Sequence, residues 1–206
     1  MELLCATAVL GMVASVTFLR ANFHAQLQQA ECAYRLEEVT LAFRQFANDN
    51  RNLFPMNVSV QLEGAREFSE SGDIASIFRS LSYYQPSAAY LVCPSDSRPS
   101  APAMFRVTPD RISYFINTSA TDAKPASVLL GDRDLAQGGD RREGTALLTG
   151  IQVLDGGGRA LAWGGKLHRG AGNVALANGA VQSLSSLELN MSLGTSLEPV
   201  RLLFPD

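Results

Sequence analysis

Between Leu3 and Leu19 the chain carries no charged residue, and from Arg20 onward polar positions return while apolar ones keep a helical spacing. No Gly or Pro interrupts the chain between Gly11 and Pro55, so one continuous helix is predicted as far as the stop cluster Asn48, Asp49, Asn50, Asn52 and Pro55. In its second half Leu36, Val39, Phe43 and Phe46 recur on a 3.6-residue period, with Arg35, Glu37, Glu38, Arg44 and Gln45 on the other faces. Such a helix runs roughly 70 Å, too long for a compact domain of this size unless half of it projects. The apolar run spans roughly 25 Å as a helix, against about 30 Å of hydrocarbon. A membrane-embedded segment over residues 3–19 is therefore predicted, with Leu3, Leu4, Val9, Leu10, Val13, Val16 and Leu19 as its apolar surface. A secretory signal peptide needs a basic start and a small-residue cleavage site, whereas this chain offers Met1 and Glu2.

Beyond the helix the pattern shortens. A second helix is predicted over 66–84, where Ser71, Gly72 and Asp73 offer a cap ahead of Ile74, Ile77, Phe78 and Leu81. Strands are predicted over 112–116, 128–130 and 146–154, with turns at Gly138-Gly139 and Gly156-Gly157-Gly158. The clearest hairpin pairs 173–176 with 181–184 about Asn178-Gly179, a dipeptide suited to a type I′ turn. These elements predict an α+β fold, a long helix against an antiparallel sheet, divided into the helix (1–50) and a globular domain (51–206).

Composition agrees with a folded remainder. The 206 residues are 46% hydrophobic and 18% charged, with net charge -3. About 155 residues remain after the helix, enough for one ordinary core. The mild acidity supplies no basic footprint, so no nucleic-acid partner is expected. Of three cysteines, Cys5 lies in the apolar run. Export through the first helix would place Cys32 and Cys93 outside the cytoplasm, where a disulfide between them would tie helix to domain.

Catalysis has no positive signal. Ser95, Asp96, Asp132, Asp134 and His168 contain the residue types of a Ser-His-Asp set, but no Gly-x-Ser-x-Gly elbow surrounds a serine. Asp132-Arg133-Asp134 reads more simply as a solvated turn with a local ion pair than as a metal loop. No phosphate- or dinucleotide-binding glycine motif occurs. Neither an enzyme nor a cofactor is expected.

Four patches together resemble the prepilin-like proteins of the type II secretion pseudopilin and type IV pilin class, in the branch with a His followed by an Asp-Gly hairpin. They are Met1-Glu2-Leu3-Leu4, the stretch from Cys32 to Pro55, Cys93-Pro94-Ser95-Asp96, and the stretch from His168 to Val181, about a third of the chain. The resemblance implies a subunit anchored in the inner membrane by a single pass, with its C-terminal domain in the periplasm or outside the cell. It would assemble through its N-terminal helix into a fibre of a secretion or pilus machine, with like subunits and the assembly machinery as partners. Glu2 takes the place of the family's acid, which meets the terminal amine of a neighbouring subunit and so neutralises a charge that is costly in hydrocarbon. The family's basic leader, ending in Gly and followed by Phe, would lie upstream of Met1 if translation starts earlier; otherwise the protein is unprocessed. Where relatives carry Asp-Gly-His this chain has Asn178-Gly179-Ala180, so the hairpin motif His168, Asn178 and Gly179 keeps a turn but lacks likely ligands, and no metal is expected. A membrane-tethered binding module outside any fibre is the alternative.

Overall fold

The long helix forms without a break as α1 (Glu2–Asp49) in the computed structural model, which describes residues 2–85, 87–138, 147–154, 160–168, 170–194 and 199–206. It ends at the expected cluster. Arg51 and Asn52 take left-handed backbone angles (φ 59° and 61°), and the Asn52 amide returns to the Ala47 carbonyl at 2.7 Å. The side-chain amide of Asn50 donates to the Phe46 carbonyl at 2.9 Å, satisfying one of the acceptors that every helix end leaves open.

No helix among the described residues is long and apolar enough to cross a membrane, which overturns both the membrane-embedded segment over 3–19 and the single-pass inner-membrane localisation. The reason is legible in the residues. The run falls short of the roughly 20 apolar residues a crossing needs, and Thr7, Gly11, Ser15 and Thr17 dilute it. Arg20, Asn22, His24 and Gln26 follow at once. The side chains of Glu2, Leu3, Leu4, Val9, Leu10 and Val13 lie outside the described residues, while Val16 and Leu19 are exposed.

From Cys32 onward α1 buries one face, formed by Cys32, Leu36, Val39, Phe43 and Phe46. That face packs on a six-stranded antiparallel sheet in the order β4-β8-β1-β2-β6-β7. Its strands are β1 (Tyr114–Asn117), β2 (Val128–Asp132), β4 (Gly150–Leu154), β6 (Ala171–Leu176), β7 (Val181–Ser185) and β8 (Val200–Phe204). Alternation splits the sheet residues between two cores. Tyr114, Ile116, Leu130, Ala175 and Leu203 join α1, with Phe43 at the centre of edge-on contacts to Phe54 and Phe78. Phe115, Val174, Leu202 and Phe204 face the other way, toward Trp163 and helix α4 (Ser186–Gly194). A small second sheet pairs β3 (Leu135–Gln137) with β5 (Leu161–Trp163) on that side. A bulge between Val128 and Leu130 breaks the alternation, so Leu129 and Leu130 both serve the α1 core.

The predicted second helix divides in two. Gly72, with φ 85°, ends α2 (Arg66–Ser71), and the Asp73 carboxylate then accepts the Ser76 amide to start α3 (Ile74–Ser80). Tyr84 lies beyond both helices. The hairpin joins 171–176 to 181–185 as expected, but its turn differs from the predicted type I′. The Gly179 amide returns to the Leu176 carbonyl, the Leu176 amide reaches the Ala180 carbonyl, and of Asn178 and Gly179 only Gly179 has positive φ (97°). This is a three-residue type I turn closed by a glycine bulge. Gly139, Ala146 and Gly156-Gly157-Gly158 fall outside the described residues.

Candidate functional site

Two features of the fold offer chemistry or contact: the free face of α1, and a polar cluster where α1 first meets the head. The cluster begins with Cys32, four residues before Leu36 on the buried stripe, so helical spacing aims its thiol at the sheet. Cys93 follows a short 3-10 turn (Ala88–Leu91) and starts a tight turn in which the Asp96 amide donates to its carbonyl. Asp132 ends β2, two residues beyond Leu130 and therefore on the same α1-facing side. His168 bridges Ala171 just before β6.

All four side chains are buried, and their potential donor atoms lie within 4.8 Å of one another. Cys32 Sγ is 3.3 Å from Asp132 Oδ1, Cys93 Sγ is 3.4 Å from His168 Nε2, and His168 Nε2 is 3.3 Å from Asp132 Oδ2. Around them, the Asn173 amide donates to Asp132 Oδ2 at 2.7 Å, and Tyr114 Oη lies 3.8 Å from Cys32 Sγ. A bidentate ion pair locks the cluster's outer edge. Arg133 Nε and Nη2 reach Asp96 at 2.7 and 2.9 Å, fastening the Cys93 turn to the strand that carries Asp132, and Ser113 Oγ donates to the same carboxylate at 2.8 Å. A groove leads to this cluster between Gln26 and Gln29 of α1, Ser95, and the turn from Gly165 to His168.

Burial pushes the Cys32 thiol well up, reinforced by Cys93 and Asp132. The hydrogen bond from Cys32, with help from His168, draws Cys93 down. For His168 burial opposes the charge, but bonding to Asp132 and Cys93 prevails and raises it to about 10.

The residues singled out in the sequence are distributed unevenly over these features. Cys32 and Cys93 do come together, as the expected disulfide required, but in this structure both are free thiols. His168 joins them, whereas Asn178 and Gly179 sit at the far end of the hairpin, where Arg44 Nη1 donates to the Ala177 carbonyl. Asp132 and Asp134 are buried rather than solvated, and Arg133 pairs with Asp96 instead of either neighbour. Asp134 accepts the Lys166 and Leu167 amides and so shapes the turn that presents His168. The signal missed for Asp132 was strand alternation with Leu130. His168 pairs with Asp132, and Asp96 is taken by Arg133 and Ser113, so no Ser-His-Asp relay assembles among these residues.

On the free side of α1 large apolar side chains stand in the open. Met12, Leu19 and Phe23 are each more than 60% exposed, at 70, 66 and 63%. Comparison with protein-family models, with curated proteins and with solved structures finds no match to this chain.

Proposed function

We propose that the chain is a fibre subunit of the pilin-like kind its motifs resemble. A folded head is carried on a helix that packs side by side with the corresponding helices of other copies, in a filament built by secretion or pilus machinery. The observation that carries this reading is the exposed stripe Met12, Val16, Leu19, Phe23, Leu27 and Leu41. At about 100° per residue these positions fall within about 80° of one another, roughly opposite the buried stripe centred on Cys32, Leu36 and Phe43. The head therefore cannot cover them. Exposed apolar surface of this extent marks an interaction site, and the run from Met12 to Leu27, spaced by threes and fours, suits a helix partner. In such a bundle Glu2 would meet the terminal amine of a neighbour.

Leu19→Glu with Phe23→Glu tests this. Both residues are exposed, so the head keeps its circular dichroism spectrum and melting midpoint, while the variant disappears from the sheared-filament fraction of cells that make it at normal levels. Incorporation equal to that of the unmodified chain would refute the proposal.

A further inference from the structure

We propose that Cys32, Cys93, Asp132 and His168 bind one zinc ion as a closed structural site that fastens α1 to the head. The reading begins with distance. Ligands at about 2.3 Å (sulfur) and about 2.0 to 2.1 Å (nitrogen, oxygen) from a tetrahedral zinc stand about 3.3 to 3.8 Å from one another. Cys93 Sγ stands 3.4 Å from His168 Nε2, Cys32 Sγ is 3.3 Å from one Asp132 oxygen and His168 Nε2 3.3 Å from the other, and with one ligand atom taken from each residue all pairs lie within 4.8 Å. Atoms from four separate parts of the chain therefore surround one point.

Chemistry selects the ion. Two thiols, one imidazole and one carboxylate form a borderline-soft set that suits zinc and is poor for calcium or magnesium, which take oxygen ligands. The hydrogen bonding is also crowded toward the same centre. His168 Nε2 carries at most one proton, yet both Cys93 Sγ and Asp132 Oδ2 lie within 3.4 Å of it. A cation satisfies all of these atoms at once, and its binding releases to solvent the protons they carry.

Surroundings complete the site. The Asn173 amide holds the Asp132 carboxylate, and the Asp96 to Arg133 pair holds the Cys93 turn, as outer contacts orient metal ligands elsewhere. Four protein ligands leave no open position, so the role is structural and not Lewis-acid catalysis. The groove beside Gln26, Gln29 and His168 is a path for entry. The site holds together α1, the turn after residue 91, the end of β2 and the approach to β6, where the projecting helix enters the fold. The competing chemistry for the same two thiols is a disulfide, which would remove two of the four ligands.

The full chain, purified under reducing conditions without chelator, decides the matter. One zinc per chain is expected by elemental analysis after gel filtration. Cobalt exchanged for it should give the visible absorption of a tetrahedral ion and a near-ultraviolet thiolate charge-transfer band. A strong chelator should lower the melting midpoint by about 10 °C or more and expose Cys32 and Cys93 to alkylation, located by peptide mass. Asp132→Asn and His168→Ala should each lose the cobalt spectrum. Should either fail to fold, the metal content and cobalt spectrum of the unmodified chain decide alone. A folded, reduced chain that takes up neither zinc nor cobalt overturns the site, as does formation of a Cys32 to Cys93 disulfide by dissolved oxygen as fast with saturating zinc as without it. Neither result bears on filament assembly, which is read in a different fraction with different residues.

Discussion

Replacing Asp96 with Asn tests whether the edge of the polar cluster is held by charge. The Asp96 side chain is 2% exposed and its partner Arg133 16%, so water screens the pair little. The carboxylate accepts Arg133 Nε and Nη2 and Ser113 Oγ, all within 2.9 Å. Asn keeps the shape but offers one acceptor and no charge, leaving a mostly buried guanidinium uncompensated. Removing one member of a buried pair costs about 3 to 5 kcal/mol, and the residual exposure of Arg133 places this site near the lower end, about 3 kcal/mol. For a chain of this length that is a fall of about 6 to 12 °C in melting midpoint. The pH dependence supplies a second reading. Burial raises the Asp96 pKa, but the bonds from Arg133 and Ser113 outweigh it and hold the folded pKa below the ordinary 3.8. The stabilisation is then complete above that value and is lost as pH falls through the lowered one. Urea unfolding followed by circular dichroism from pH 7 down to pH 3 should show the loss in the unmodified chain and a flatter acid limb in Asp96→Asn. The double variant with Arg133→Met should recover part of the deficit, because no charge is then stranded. A loss below about 1 kcal/mol together with an unchanged acid limb would refute the assignment of a tightening role to this pair.

Two further outcomes follow from the head. Phe43→Ala removes a fully buried ring that meets Phe54 and Phe78 edge-on, and urea unfolding should register about 3 to 5 kcal/mol of lost stability; a cost near 1 kcal/mol would show that the helix is not seated as described. The Glu67 carboxylate accepts Ser59 Oγ and the Val60 amide and should titrate at about 2 in a carbon-detected NMR experiment, rising toward an ordinary carboxylate value in Ser59→Ala.

The parts of this fold that local sequence rules determine were legible in advance. The continuous helix follows from the lack of Gly and Pro between Gly11 and Pro55, and its end from five polar or turn-forming residues. The hairpin follows from alternation about Asn178-Gly179, although the choice between a two-residue turn and a glycine bulge depends on how 177–178 dock against Ser127 and Pro125, which no local rule contains. Strand β8 escaped notice because it pairs with β4 and β1, far earlier in the chain, and its five residues show no polar alternation when both faces are covered. The same limit hid the cluster. Cys32 lies on the helix stripe and Asp132 on a strand face, each recoverable from periodicity, but their meeting with Cys93 and His168 is a property of topology. The apolar run misled because a lack of charge is an ambiguous signal by itself: residues 3–19 are too few, and too diluted by Thr7, Gly11, Ser15 and Thr17, to cross a membrane.

That ambiguity bears on how the two features relate. One helix carries two apolar stripes on opposite sides, the inner one beginning at Cys32 and the outer one running from Met12 to Leu41. Over 32–46 the inner stripe is complete, while the outer one is reduced to Leu41 among Glu37, Glu38, Arg44 and Gln45. Below Cys32 no described side chain of α1 is buried, although Gln29 Nε2 still donates to Ser183 Oγ of β7 at 2.7 Å. The point of change is where a pull on the projecting segment would peel α1 from the head, beginning at its first buried residue. Apolar packing resists such peeling only one side chain at a time, because each contact breaks independently as the front advances. A tie at Cys32 to Cys93, Asp132 and His168, whether made by hydrogen bonds or by an ion, must instead break as a unit before the front can reach Leu36. The polar cluster therefore sits at the position along α1 where it resists peeling of the helix from the head, which is where load would enter the fold under the proposed assembly through the helix.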